Sequence, residues 1–320
     1  MMVTTQDRYG ESNGAQPALP GSYGQAPNGY RLPAGTRLGP VRLQVADLAR
    51  SLPFYVETLG FREVARDAGQ ATLAAHADDR VLVELVERRG VRPAGRGLLG
   101  LYHVAILLPD RASLGRFVRH LSESRTPAGA GDHLVSEAFY LTDPDGLGIE
   151  VYVDRPRETW HRLGRELMLA TDPVDVRGLV AEAGEEAWSG MPAGTVIGHV
   201  HLHVGSIEQA QAFYSEALGF DRMTWRYPGA LFLGADGYHH HLGTNTWAGA
   251  GARPPADTDA RLLEWTIELP RATDVAAVSQ SLSDAGYPVE WAGEGDGMAT
   301  TQDPWGTRVR WRAAGAGMHA

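Results

Sequence analysis

The run Phe54-Tyr55-Val56-Glu57-Thr58-Leu59-Gly60-Phe61 returns as Phe213-Tyr214-Ser215-Glu216-Ala217-Leu218-Gly219-Phe220, so the chain carries an internal repeat. Turn sequences recur at almost the same offset. Asp143-Pro144-Asp145-Gly146 is answered by Asp303-Pro304-Trp305-Gly306, each just ahead of an alternating apolar stretch. Two related halves follow, and each divides again. Four stretches begin with a strand pattern, continue as an amphipathic helix and finish in short alternating strands: 38–89, 98–154, 196–250 and 260–312. Each reads as a βαβββ module of an α+β protein, with modules one and two within residues 37–154 and modules three and four within 196–313. Residues 1–36, rich in Gly, Pro, Gln, Asn and Tyr with little to bury, read as a flexible extension. Residues 155–195 read as a charged, helical connector ended by Gly190, Pro192 and Gly194.

A βαβββ module exposes one face of a small curved sheet, and two side by side form a cup lined by their first and last strands. Because residues i and i+2 share a strand face, the question becomes which inward positions carry reactive side chains. Cysteine is absent from the 320 residues, which removes thiolate zinc, iron–sulfur and cysteine-nucleophile chemistry and leaves nitrogen and oxygen as metal donors. A net charge of -10 with no long Lys/Arg cluster speaks against nucleic acid as a partner. Neither an export signal nor a long apolar span is evident, so a cytoplasmic protein with no membrane partner is expected.

Six of the twelve histidines fall in two clusters of module three, His199-Val200-His201-Leu202-His203 and His239-His240-His241. On a strand, the first cluster points three imidazoles one way and Val200, Leu202 and Val204 the other. His103 sits in the corresponding first strand of module two, and Glu150 in that module's last strand. His103, Glu150 and His199 thus offer two imidazoles and one carboxylate, a facial set that leaves adjacent positions open on Fe(II) or Mn(II), and less distinctively on zinc or nickel. The plainer alternative pairs Glu150 with a neighbouring arginine and the histidines with backbone. His201 and His203 read better as residues that line the pocket or orient the ligands, and the triple histidine could also be a surface loop.

Gly198 through Val204, followed by the Phe213-Tyr214 to Leu218-Gly219-Phe220 run, resembles the vicinal oxygen chelate superfamily. Gly100-Leu101-Tyr102-His103, Gly131-Asp132-His133, Ser136 through Tyr140, Asp143 through Glu150 and Gly237 through His241 are similar to type I extradiol dioxygenases, most closely the bacterial catechol 2,3-dioxygenase group. The resemblance covers about residues 38–311. It implies the glyoxalase/bleomycin-resistance/extradiol dioxygenase fold of four βαβββ modules in two paired cups. It also implies Fe(II), with Mn(II) as the other metal, a small aromatic diol and O2 as substrates, and cleavage to a muconic semialdehyde; a homo-oligomer is expected. Carried over position by position, the metal ligands are His103, Glu150 and His199, and the active-site tyrosine is Tyr140. His133 matches a second-sphere histidine, and the acid–base histidine falls within His239 to His241, with His241 favoured and His240 inward on a one-residue slip. Trp247 and Phe139 are candidates to wall the ring.

Two departures bear on topology. Module four offers Glu264 and Arg310 where module two has His103 and Glu150, and module one offers Pro40 where module three has His199. Only modules two and three supply a complete set, so the site is expected between them, with modules one and four as a metal-free partner. The rival readings are a non-catalytic metal- or ligand-binding protein and a glyoxalase-like isomerase. The isomerase usually needs a second carboxylate, which the first module offers as Glu84 and the third replaces with His241.

Overall fold

The computed structural model describes residues 3–10, 14–292 and 297–315. The parts of the N-terminal segment at 1–2 and 11–13, of module four at 293–296, and the end from 316 lie outside the described residues. Among those described, no helix is long and apolar enough to cross a membrane.

Two eight-stranded sheets carry the fold. In the first, the strands run Asp221–Thr224, Ala230–Gly234, Leu242–Asn245, Val196–His203, Gly100–Leu107, Gly148–Asp154, Ser136–Thr142 and Gly129–Asp132. Modules three and two therefore share one sheet and modules one and four the other. The two first strands meet antiparallel at the centre, His199 opposite Ala105 and His201 opposite His103. Each first strand runs parallel to the last strand of its own module, Ala105 beside Glu150 and His201 beside Gly243.

Alternation sets the faces. Val200, Leu202 and Val204 are buried in the main core, and the histidines between them face the other side. The helix Arg111–Glu123 covers that core with Leu114, Phe117, Val118 and Leu121, at helical spacing, and Asp110 caps it by accepting from the Ser113 N–H at 2.7 Å. In modules one and three the helix opens into a wider π turn, Phe54–Thr58 and Gln211–Ala217, which carries the repeated Phe-Tyr pair. Gly198 is required by its neighbour: a Cβ there would lie 1.9 Å from the Tyr152 hydroxyl. Phe139 joins the main core, on the opposite face of its strand from Tyr140, so it does not wall the site.

Two sequence expectations need correction here. The described part of the N-terminal segment is packed rather than free: Tyr23 and Leu32 are buried, Gln16–Pro17 pairs with His161–Leu163, and Arg31 grips Asp221 with both guanidinium arms. Tyrosines and arginines that lack periodicity found partners on the rest of the chain. The connector is mostly irregular, with short strands His161–Leu163 and Glu166–Leu167, a 3-10 turn Arg157–Thr159 and one short α-helix, Val176–Glu182. Its Trp160, Leu167 and Leu169 form a second small core with Tyr23, Met223, Tyr227, Phe232 and Tyr238 over the histidine face of the first sheet. That arrangement roofs the histidines.

Candidate metal centre

His103, Glu150 and His199 arrive from three central strands of one sheet, and their ligand atoms lie within 4.8 Å of one another. All three are buried. His103 Nε2 is 2.9 Å and His199 Nε2 3.3 Å from the same oxygen, Glu150 Oε2. Yet, among the described residues, His103 Nε2 has no hydrogen-bond partner of good geometry. Among the described residues no arginine reaches Glu150; Arg111 and Arg155 bind Glu137 instead. A buried carboxylate between two imidazoles whose nitrogens converge without bonding each other is a poor hydrogen-bond site and a fitting metal cradle. Burial drives the His199 imidazole down to about 4, against the pull of Glu150, so at neutral pH it offers a lone pair.

The cradle opens into a cavity of about 420 Å³ lined by His133, Tyr140, His201, Tyr227, His240 and Trp247 among others. His133 Nδ1 donates to the Ala170 carbonyl at 2.7 Å, so its Nε2 accepts from the Tyr140 hydroxyl at 2.5 Å. His201 is held by Asn245, whose side-chain nitrogen donates to Nε2 at 2.9 Å, while Asn245 Oδ1 takes the His203 Nδ1–H at 2.7 Å. His203 stays half-buried, outside this cavity.

Of the histidine triplet, His240 lines the cavity and lies tilted against His199, with 4.2 Å between ring centres. His241 does not line it. Its Nδ1 accepts from the Ala235 N–H at 3.2 Å and its ring lies against Phe220 and Tyr238. The structure thus places His240, rather than the favoured His241, at the cavity, as the loop entering Leu242–Asn245 turns the His241 ring away from it toward Phe220 and Tyr238. Register also corrects the counterpart of Glu84. Val41 pairs with Val83 as Val200 pairs with Leu242, so Gly243, not His241, occupies the matching place. A Cβ at Gly243 would touch the His201 ring at 2.8 Å. His201 fills the space a second carboxylate would need.

Sequence reasoning missed the lid of this cavity. Leu169, Ala170 and Thr171 of the connector form one wall. The N-terminal helix Thr5–Tyr9 backs it: Arg8 donates to the Leu169 carbonyl at 2.8 Å and lies over the Tyr227 ring, while Thr5 bonds to Asp172. No alternation or motif signals contacts made to a backbone carbonyl.

With that geometry in view, the model of the Glyoxalase/Bleomycin resistance protein/Dioxygenase superfamily matches residues 37–151 and 196–310. The chain belongs to this superfamily. The Catechol-2,3-dioxygenase of Bacillus subtilis (strain 168) is 46% identical over 261 residues, spanning 80% of this chain and 90% of that protein. The relation makes the protein a dioxygenase enzyme of the superfamily. Among crystal structures, a candidate dioxygenase from Bacillus subtilis subsp. subtilis str. 168 has a TM-score of 0.61 at 11% identity, covering 89% of this chain and 86% of that one. A variant of glyoxalase I from Zea mays follows at 0.53 and 17% identity, covering 87% and 92%. Both likenesses concern the fold.

Proposed function

We propose that the protein is an extradiol ring-cleaving dioxygenase that holds Fe(II), with Mn(II) as the substitute, through His103, Glu150 and His199, and opens a catechol-type ring with O2. The observation that carries this reading is a three-donor His/Glu/His set facing a cavity with aromatic walls, with glycine at Gly243 where a fourth donor would stand. Three donors leave room for a diol and for O2; four would suit an isomerase better. The similarity to a catechol-2,3-dioxygenase supports the substrate class.

A bound ferrous ion would acidify the diol and supply the electron path by which dioxygen reacts with the ring. The chain's own residues do the rest. Tyr227, Phe232 and Trp247, in contact with one another, form an aromatic wall against which a flat ring packs. His240, with a nitrogen toward the cavity, accepts a hydroxyl proton and later returns it. The Tyr140 O–H, held by His133, is the donor that can turn to charge developing on a substrate oxygen. Both atoms of O2 enter the product as the carbon–carbon bond beside one hydroxyl breaks, so catechol and O2 sum to a hydroxymuconic semialdehyde without an external reductant.

The test is anaerobic loading with Fe(II), addition of catechol or a substituted catechol, then air. A yellow product formed with one O2 consumed per ring is expected. Full iron loading with no colour and no oxygen uptake on any catechol would refute the reading.

A further inference from the structure

A chain of hydrogen bonds links the cavity to the protein surface through residues the preceding reaction does not use. Asp154 ends the last strand of module two, and His239 precedes the cavity-lining His240. His239 Nε2 lies 2.8 Å from Asp154 Oδ1, and His239 Nδ1 lies 2.7 Å from His240 Nδ1. The same Asp154 oxygen accepts from the Tyr238 hydroxyl at 3.1 Å, to which the Tyr152 hydroxyl donates at 2.7 Å. His239 is fully buried, whereas the Asp154 side chain is 27% exposed.

Each link has one direction. An ionised carboxylate only accepts, so His239 Nε2 carries a hydrogen. A neutral imidazole has a single N–H, which makes His239 Nδ1 an acceptor. The hydrogen between the two Nδ1 atoms then belongs to His240, and His240 Nε2 is left with its lone pair. Among the described residues, His239 is the one hydrogen-bond partner of the His240 ring, while His199 and Phe232 only fix its plane.

We propose that Asp154 and His239 are positioning residues that set the tautomer of His240, presenting an unprotonated Nε2 to the cavity as a ready base. The logic is that of a carboxylate orienting a histidine, extended by one imidazole. Asp154→Ala removes the acceptor that sets the direction, whereas Asp154→Asn keeps an oxygen for His239 and Tyr238.

The experiment is two-bond 15N–1H correlation on the full chain, labelled at histidine and loaded with diamagnetic Zn(II), with His240 assigned by its loss in His240→Gln. His240 is expected as the Nδ1–H form in the wild type. In Asp154→Ala it should become a mixture, with kcat of the iron-loaded enzyme down about tenfold to a hundredfold at little change in KM. Asp154→Asn should recover most of both. An Nε2–H His240 in the wild type would overturn the proposal, since a doubly protonated His239 reverses the last link. So would a fall in kcat with the tautomer unmoved, or no change in either. The inference rests on His240 as the base of ring cleavage, but the wild-type tautomer is read without turnover or any Asp154 variant. Absence of activity with the Nδ1–H form present would refute the activity alone.

Discussion

The two eight-stranded sheets have the same strand order and opposite contents. Register aligns Glu264 with His103, Arg310 with Glu150, Arg42 with His201 and Glu84 with Gly243, while Pro40 takes the place of His199. Where one cup gathers imidazole nitrogens around a carboxylate, the other sets guanidinium groups beside its carboxylates around a cavity of its own. Arg310 Nη2 reaches Glu264 Oε1 at 2.8 Å and Arg42 Nε reaches Glu84 Oε2 at 2.9 Å. A guanidinium stands where the metal's carboxylate ligand would be, so the charge a cation would supply is built in. The fold provides a cup; only side-chain chemistry makes one of them a metal site.

Exchanging the contents should give unlike results in the two cups. Glu150→Ala removes a ligand and should lower iron affinity more than about a hundredfold, since even partners behind metal ligands are worth 10- to 100-fold. Iron titration and ring-cleavage rates measure it, and folding should survive. Arg310→Met acts on stability instead. It strands a carboxylate that is 2% exposed, at a cost of about 3 kcal/mol, the low end for a broken buried pair because Arg310 itself is 28% exposed. Replacing both Glu264 and Arg310 by Leu and Met should restore most of that in urea unfolding, with ring cleavage unaffected. Equal loss of activity in Arg310→Met would break the division of labour between the cups.

The repeated turns sharpen the comparison further. Asp143 accepts from the Tyr55 hydroxyl at 3.0 Å, as Asp303 does from Tyr214 at 2.7 Å, each tying a turn to the helix of a different module. Burial pushes the Asp143 carboxyl up to about 6 from an ordinary 3.8. The native state therefore holds a proton that the unfolded chain has released, and this group's contribution to stability falls as pH rises from about 4 to about 6. Asp143→Asn should remove that slope, about 3 kcal/mol between the two limits, in the difference between wild-type and variant unfolding curves. Parallel curves would contradict it. The smallest effect is expected from Arg8→Ala, which removes a contact over Tyr227 and a hydrogen bond to the cavity wall. About 1 kcal/mol should appear in KM for the ring rather than in kcat.

The legible part of the molecule is the part governed by alternation. Val200, Leu202 and Val204 fix one face of their strand, so the faces of His199 and His201 follow, and the same logic fixes Glu150 between Ile149 and Val151. The mismatched residues of modules one and four were equally readable, because a glutamate and an arginine cannot stand in for histidine and carboxylate ligands. Legibility ends where alternation does. His239, His240 and His241 lie in a loop whose turn, not its pattern, decides that His240 faces the cavity. The connector and the N-terminal segment escape that logic, since Arg8, Tyr9 and Thr171 act through long-range hydrogen bonds that leave no period in sequence.

The most direct test of the claim that one cup holds metal and its twin does not is anomalous diffraction at the iron edge from crystals of the Fe(II)-loaded chain. One peak per chain is predicted, within bonding distance of His103, Glu150 and His199, with none beside Glu264 and Arg310. A peak in the Glu264/Arg310 cup, or none among the three ligands at full iron occupancy, would contradict the account.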